Sequence, residues 1–210
     1  MTSIVISSGH GKYVRGASGI IDEVDEARKV TQRLAQELQL RDVDVEVFHD
    51  DTSKAQNENL NTIVNFHNSC DRDLDISVHF NAYEQVDKPM GVEVLYLTQK
   101  DLAAKISEAI ADCGFINRGA KKRTDLFFLN KTDAPAILLE ICFVDSQADT
   151  DIYADQFDNI CDAIADVLGG AEEVFEPEEP ELPLEVPRID IQVSGDVQIF
   201  INGEQIGTKG

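Results

Sequence analysis

The sequence predicts an α/β domain built on a twisted, mostly parallel mixed sheet with helices on both faces, followed by a short C-terminal β-hairpin tail. Two observations carry this. Short apolar runs bounded by turn residues alternate with stretches whose apolar residues recur at helical period, and the composition changes abruptly after residue 170. Alternation of strand and helix along a chain places crossover helices over both faces of a sheet.

The elements follow in order. Residues 4–6 (IVI) form a first strand, and Ala27, Val30, Leu34 and Leu38 mark the apolar stripe of a first helix. Residues 43–48 are a second strand, 59–66 a helix, and 74–78 (LDISV) and 91–97 (GVEVLYL) two further strands. Leu102, Ile106, Ala109, Ile110 and Cys113 mark another helix, residues 136–144 a last buried strand, and Phe157, Ile160, Ile164 and Leu168 a closing helix. The main domain is expected to span residues 1–170. An acidic linker over 171–188 holds four of the six prolines and seven glutamates. Residues 189–210 then alternate apolar and polar side chains, with Asn202-Gly203 as a hairpin turn. A lone hairpin is marginal in water, so the tail is expected to dock on the core, pair with other copies in a homo-oligomer, or be the start of a module cut short.

Composition narrows the function classes. With 210 residues and 42% hydrophobic content the chain can bury one sizeable core. A net charge of −22, with only 18 scattered basic residues, argues against nucleic acid and against attraction to anionic membranes. No segment approaches the roughly 20 apolar residues of a membrane span, and the first residues lack the basic and apolar regions of a signal peptide. The expectation is synthesis in the cytoplasm with the N-terminus retained. Cys70, Cys113, Cys142 and Cys161 show no CxxC pairing and read as reduced core residues.

Certain polar residues sit where a core strand would not want them. His10, in SSGHGK, lies in a glycine-flanked turn just past the first strand, and His79, in DISVHFNA, ends another strand. Open α/β sheets put ligand sites at such strand ends. Two histidines make an incomplete zinc site, because catalytic zinc is held by three protein ligands. The start of the first helix offers Asp22, Glu23, Asp25 and Glu26, acids that also suit a helix dipole. Glu23, beside the apolar pair Ile20-Ile21, is best placed to point inward, with Glu26 one turn later as the alternative. Glu140 stands within the apolar run APAILLEICFVD, and a lone buried carboxylate is costly unless paired or held facing a cleft. There its pKa would rise toward neutrality, suiting a group that takes and returns a proton. His49 and His67 read as structural or solvated. SSGHGK lacks the spaced glycines of a nucleotide-binding turn.

In order, SSGHG, GIIDE, DISVHFNA, GVEVLYL, NRGAKKRTDLFFLN and PAILLEICFVD resemble the motif series of the zinc-dependent N-acetylmuramoyl-L-alanine amidases, the amidase-3 family, and most closely endolysin catalytic domains from phages of Gram-positive bacteria. The resemblance spans residues 2–170. It implies one zinc ion held by His10, Glu23 and His79, with Glu140 as the catalytic glutamate. The stretch EVDEARKV departs from the family in lacking the Asn-Leu tail that follows the glutamate ligand. The implied substrate is bacterial peptidoglycan, cut between N-acetylmuramic acid and L-alanine, and the implied setting is a phage lysin that reaches the wall after release from its host. Asn81 would orient a ligand or bind sugar, and Lys121 and Arg123, in a basic stretch, would hold stem-peptide carboxylates. A zinc peptidase cutting within the stem and a non-catalytic wall-binding protein are the alternatives.

Overall fold

A computed structural model describes residues 2–170 and, beyond them, strand pairing at 189–194, 196–201 and 204–209. The main unit runs β1 (Ser3–Ser8), α1 (Glu23–Gln39), β2 (Asp44–Phe48), α2 (Gln56–Ser69), β3 (Leu74–Asn81), β4 (Val92–Tyr96), α3 (Lys100–Ala111), β5 (Asn117–Lys122), α4 (Phe127–Lys131), β6 (Ala136–Phe143) and α5 (Gln147–Gly169). Its six strands lie in the order β2-β1-β3-β6-β4-β5. Neighbours are parallel except β4 and β6, which pair antiparallel. That reversal brings the first residues of β4 and β5 to the edge where β1, β3 and β6 end.

Side chains alternate across the strands and assign each face its cover. Leu74, Ile76, Val78 and Phe80 of β3 and Ile137, Leu139 and Ile141 of β6 pack in one large core with α1, α3 and α5. Ala27, Val30, Leu34 and Leu38 all face that core at helical spacing, so α1 is held by burial rather than by propensity. Asp22 caps α1, its side chain accepting from the backbone N–H groups of Val24 and Asp25.

The opposite face is covered by α2 and the short α4. Ile63, Val64, Phe128 and Leu129 pack there on Leu95, Ala136 and Leu138. This layer also holds a buried polar cluster. His67 of α2 contacts Asp75 Oδ1 at 2.7 Å through Nδ1 and Ser7 Oγ at 2.9 Å through Nε2. Arg72 donates to both Asp75 oxygens at 2.9 and 2.8 Å and to Asn68 at 2.7 Å. Every member is satisfied, so the cluster fixes the seat of α2 on β1 and β3. On β6, α2 and α4 cover Ala136 and Leu138; Glu140 is the next residue on that face.

The structure departs from the sequence expectation in three places. NRGAKK, assigned to no element from the sequence, is an edge strand, β5; α4 follows it; and α5 begins ten residues before the expected Phe157. The four cysteines are free, Cys142 and Cys161 buried and the other two half-buried. In the second unit β7 (Ile189–Ser194), β8 (Asp196–Ile201) and β9 (Glu204–Lys209) pair antiparallel as three strands, one more than a hairpin. The linker and the Asn202-Gly203 turn lie outside the described residues.

Candidate active site

The strand ends position the site. Gly9 follows β1, where its N–H donates to Val78 O at 2.9 Å and sets the backbone beside His79. A Cβ on Gly9 would overlap the His79 ring, and one on Gly16 would overlap the Glu23 carboxylate and the His10 ring. Glycine at both positions leaves room for three side chains to converge. Glu23 opens α1 and is 3% exposed. Its Oε2 accepts from Ala17 N at 2.5 Å, and its Oε1 accepts from Phe80 N at 3.2 Å.

Both histidines meet that Oε1. His79 Nδ1 lies 3.0 Å from it and His10 Nε2 3.4 Å from it. The imidazole centroids are 5.0 Å apart, edge to face. One ligand atom from each of His10, Glu23 and His79 lies within 4.8 Å of the others. Two imidazoles and a carboxylate on one point, with clearance provided by two glycines, match the donor set and room a zinc ion requires. Among the described residues this is the one such cluster.

The electrostatics prepare the three for a cation. Burial and the neighbouring His79 lower the His10 pKa despite Glu23, which favours the neutral imidazole. Burial alone would raise Glu23, but the hydrogen bond and charge of His79 and the charge of His10 bring it below the usual carboxylate range. Burial would lower His79, yet its contact with Glu23 and the charges of Glu140 and Glu23 raise it. Glu26, the alternative third ligand, points away: it pairs with Lys29 Nζ at 2.8 Å and accepts from Tyr153 OH at 3.0 Å.

Glu140 sits in register with His79 on the adjacent strand β3. Its Oε2 is buried without a hydrogen-bond partner. Burial pushes its pKa up to about 7; His79 pulls it down, Glu23 and Glu93 push it further up, and Arg123 opposes them. An unpartnered carboxylate oxygen on the residue in register with His79 is poised to exchange a proton with whatever enters.

The remaining expected residues divide. Asn81 Nδ2 donates to Glu93 Oε1 at 3.2 Å. Arg123 forms a two-pronged pair with Asp125, both contacts at 2.8 Å, and its charge reaches Glu140. Lys121 lies exposed on edge strand β5, with no hydrogen bond or ion pair to the cluster among the described residues. Two residues escaped the sequence reading. Glu93 of β4 pairs in register with Glu140, and Arg118 Nε donates to Glu93 Oε2 at 2.8 Å. For Glu93 the signal was present: GVEVLYL carries an acid inside an apolar run, as the last strand does. A cavity of about 180 Å³ opens beside His10 and His79, walled by Leu60, Val64, Phe127 and Leu138.

The family described as N-acetylmuramoyl-L-alanine amidase, amidase-3, matches residues 4–169. The chain belongs to this family. A 38.4 kDa uncharacterized protein of Clostridium perfringens is 34% identical over 160 residues, covering 73% of this chain and 46% of its own length. The chain thus spans about half the length of the curated relatives it matches. Among solved structures, the catalytic domain of the CD27L endolysin targeting Clostridia difficile is 27% identical with a TM-score of 0.74, covering 80% of this chain and 97% of that one. Cwp6 from Clostridium difficile is 26% identical with a TM-score of 0.71, covering 82% of this chain and 29% of its own. The amidase-3 chain described above therefore carries its His-Glu-His cluster and Glu140 on the fold of its relatives.

Proposed function

We propose that this amidase-3 protein hydrolyses the amide between the lactyl group of N-acetylmuramic acid and L-alanine in bacterial peptidoglycan, as a zinc enzyme and a phage endolysin. The observation that carries the reading is the buried, unpartnered Oε2 of Glu140 facing the His10, Glu23 and His79 cluster. A zinc ion held by those three residues would supply Lewis acidity toward the amide carbonyl and lower the pKa of water. Ala17 N and Phe80 N fix the Glu23 carboxylate, so its orientation precedes any ligand.

Glu140 takes the proton of the attacking water and returns it to the departing alanine nitrogen, which would otherwise leave as an unstable amide anion. Its elevated pKa suits both halves of that exchange, because a carboxylate of ordinary acidity would return the proton reluctantly. Its site on a strand, between the β3 and β4 neighbours, fixes its height above the sheet. The endolysin reading is supported by the likeness to the CD27L catalytic domain.

The test is digestion of purified peptidoglycan with zinc-loaded protein and mass analysis of the new termini. Free stem peptides beginning with L-alanine, beside intact glycan strands, are expected. Termini inside the stem would make the protein a peptidase, and no cleavage by folded, metal-replete protein would make it a wall-binding one.

A further inference from the structure

Arg118 is placed by a local irregularity in the sheet. Val92 pairs with Asn117 and Glu93 with Gly119, so Arg118 is the extra residue of a bulge in parallel strands β4 and β5. Gly119 adopts φ 78°, a conformation that side-chain-bearing residues rarely take, and its N–H donates to Asn117 Oδ1 at 2.8 Å. Bulges in parallel pairs are rare, and one next to an active site re-aims a side chain. Here the side chain comes over Phe143, with the guanidinium 5.0 Å from the ring centroid, and its Nε donates to Glu93. Glu93 in turn is held by Asn81 and lies in register with Glu140.

Only Nε is engaged. The two Nη nitrogens make no hydrogen bond among the described residues, and the side chain is 36% exposed. A guanidinium fixed by a carboxylate on one edge and a ring on its face, with its outer nitrogens free, presents two parallel donors to a planar anion. The setting needs such a donor. In a chain of net charge −22, with Glu23, Glu93 and Glu140 around the cleft, an anionic substrate group would otherwise be repelled.

We propose that Arg118 is the receptor for the carboxylate of the residue following L-alanine in the stem peptide, and so sets the preference for substrates whose second residue keeps that group free. This deepens the amidase reading and rests on it. It moves the carboxylate-holding role from Lys121 and Arg123, the first exposed and without a side-chain hydrogen bond or ion pair among the described residues and the second already committed to Asp125.

The experiment has two arms, both on the full chain. In the first, kcat/KM is measured with zinc-loaded protein on N-acetylmuramoyl-L-alanyl-D-glutamate and on the same compound with the glutamate α-carboxylate amidated. The acid is expected to be preferred about tenfold, chiefly through KM. Arg118→Gln removes the preference and Arg118→Lys keeps part of it. In the second, the dipeptides L-Ala-D-Glu and L-Ala-D-isoglutamine are titrated by NMR into metal-free protein, where the acid should bind more tightly and Arg118→Gln should erase the difference. Equal treatment of acid and amide by the unaltered protein, or an equal loss on both in Arg118→Gln, overturns the proposal. Selective dipeptide binding without cleavage of either compound supports the carboxylate receptor and overturns the amidase reading instead.

Discussion

In the proposed mechanism Glu140 must be ionised to act as a base, so its protonation would govern the acid limb of activity. With a pKa held at about 7 in the metal-free site, kcat/KM should fall as pH drops below neutrality; a bound dication favours the carboxylate and moves the midpoint lower. A pH profile between about 5 and 8 reads this, and an acid limb unchanged in Glu140→Asp would contradict it. The same group also sets a stability trend. Its folded pKa is raised above the unfolded value of about 4.3, so its contribution is intact below that pH and is lost as pH rises through about 7. Metal-free Glu140→Gln should therefore gain Tm relative to the unaltered protein at pH 8 more than at pH 5, while losing roughly 100-fold or more in activity. His10, His79 and Glu140 were legible in the sequence because a polar residue ending or interrupting an apolar run needs a partner. Glu23 was legible only as one of two acids, since the helix turn between Glu23 and Glu26 is resolved by what each touches: His79 in one case, Tyr153 in the other.

At the scale of elements, close approach and buried polarity do the positioning. Gly9→Ala would thrust a methyl into the His79 ring. It should weaken zinc binding roughly 10- to 100-fold, by competition with a chromophoric chelator, with circular dichroism unchanged. His67→Ala would strand Ser7 Oγ, deprive Asp75 of one partner and leave a cavity under α2. Urea unfolding should show a loss of roughly 3 kcal/mol. Elements built on a strong apolar stripe, such as α1 and β6, were readable from periodicity. β5 was not, because an exposed edge strand with the sequence NRGAKK has no buried face to betray it, and five-residue α4 is too short to show a period. The Asn81, Glu93 and Arg118 cluster was illegible for a different reason: its residues meet only through strand register and a bulge.

At the scale of the whole molecule the chain divides into two compact units, residues 1–177 and 178–210. The first contains every residue of the site. A chain ending at 177 should keep the Tm of the main transition and its rate on soluble muropeptides; a large loss of either would show that the second unit supports the first. We propose the three-stranded second unit as a site of self-association or wall attachment, and the mass and cell binding of the shortened chain test it: no change in either would remove both roles. The net charge of −22 opposes compaction, so raising NaCl from about 0.05 to 0.5 M should raise Tm by screening. A fall would show that the Arg33 and Arg41 bridges to α5 outweigh the repulsion.

The reversed pair β4 and β6 has one more consequence. Because β4 and β5 begin where β1, β3 and β6 end, the connection 82–91 and the segment leading into β5 reach the cleft rim together with the loop after β1. The 82–91 connection is stitched to the turn after β6, with Tyr83 N donating to Asp145 Oδ2 at 2.7 Å and Ser146 Oγ donating to Lys88 O at 2.8 Å. Under the proposed activity, loop exchange at this rim would retune which wall is accepted, while the strands beneath keep the His10, Glu23, His79 and Glu140 positions fixed.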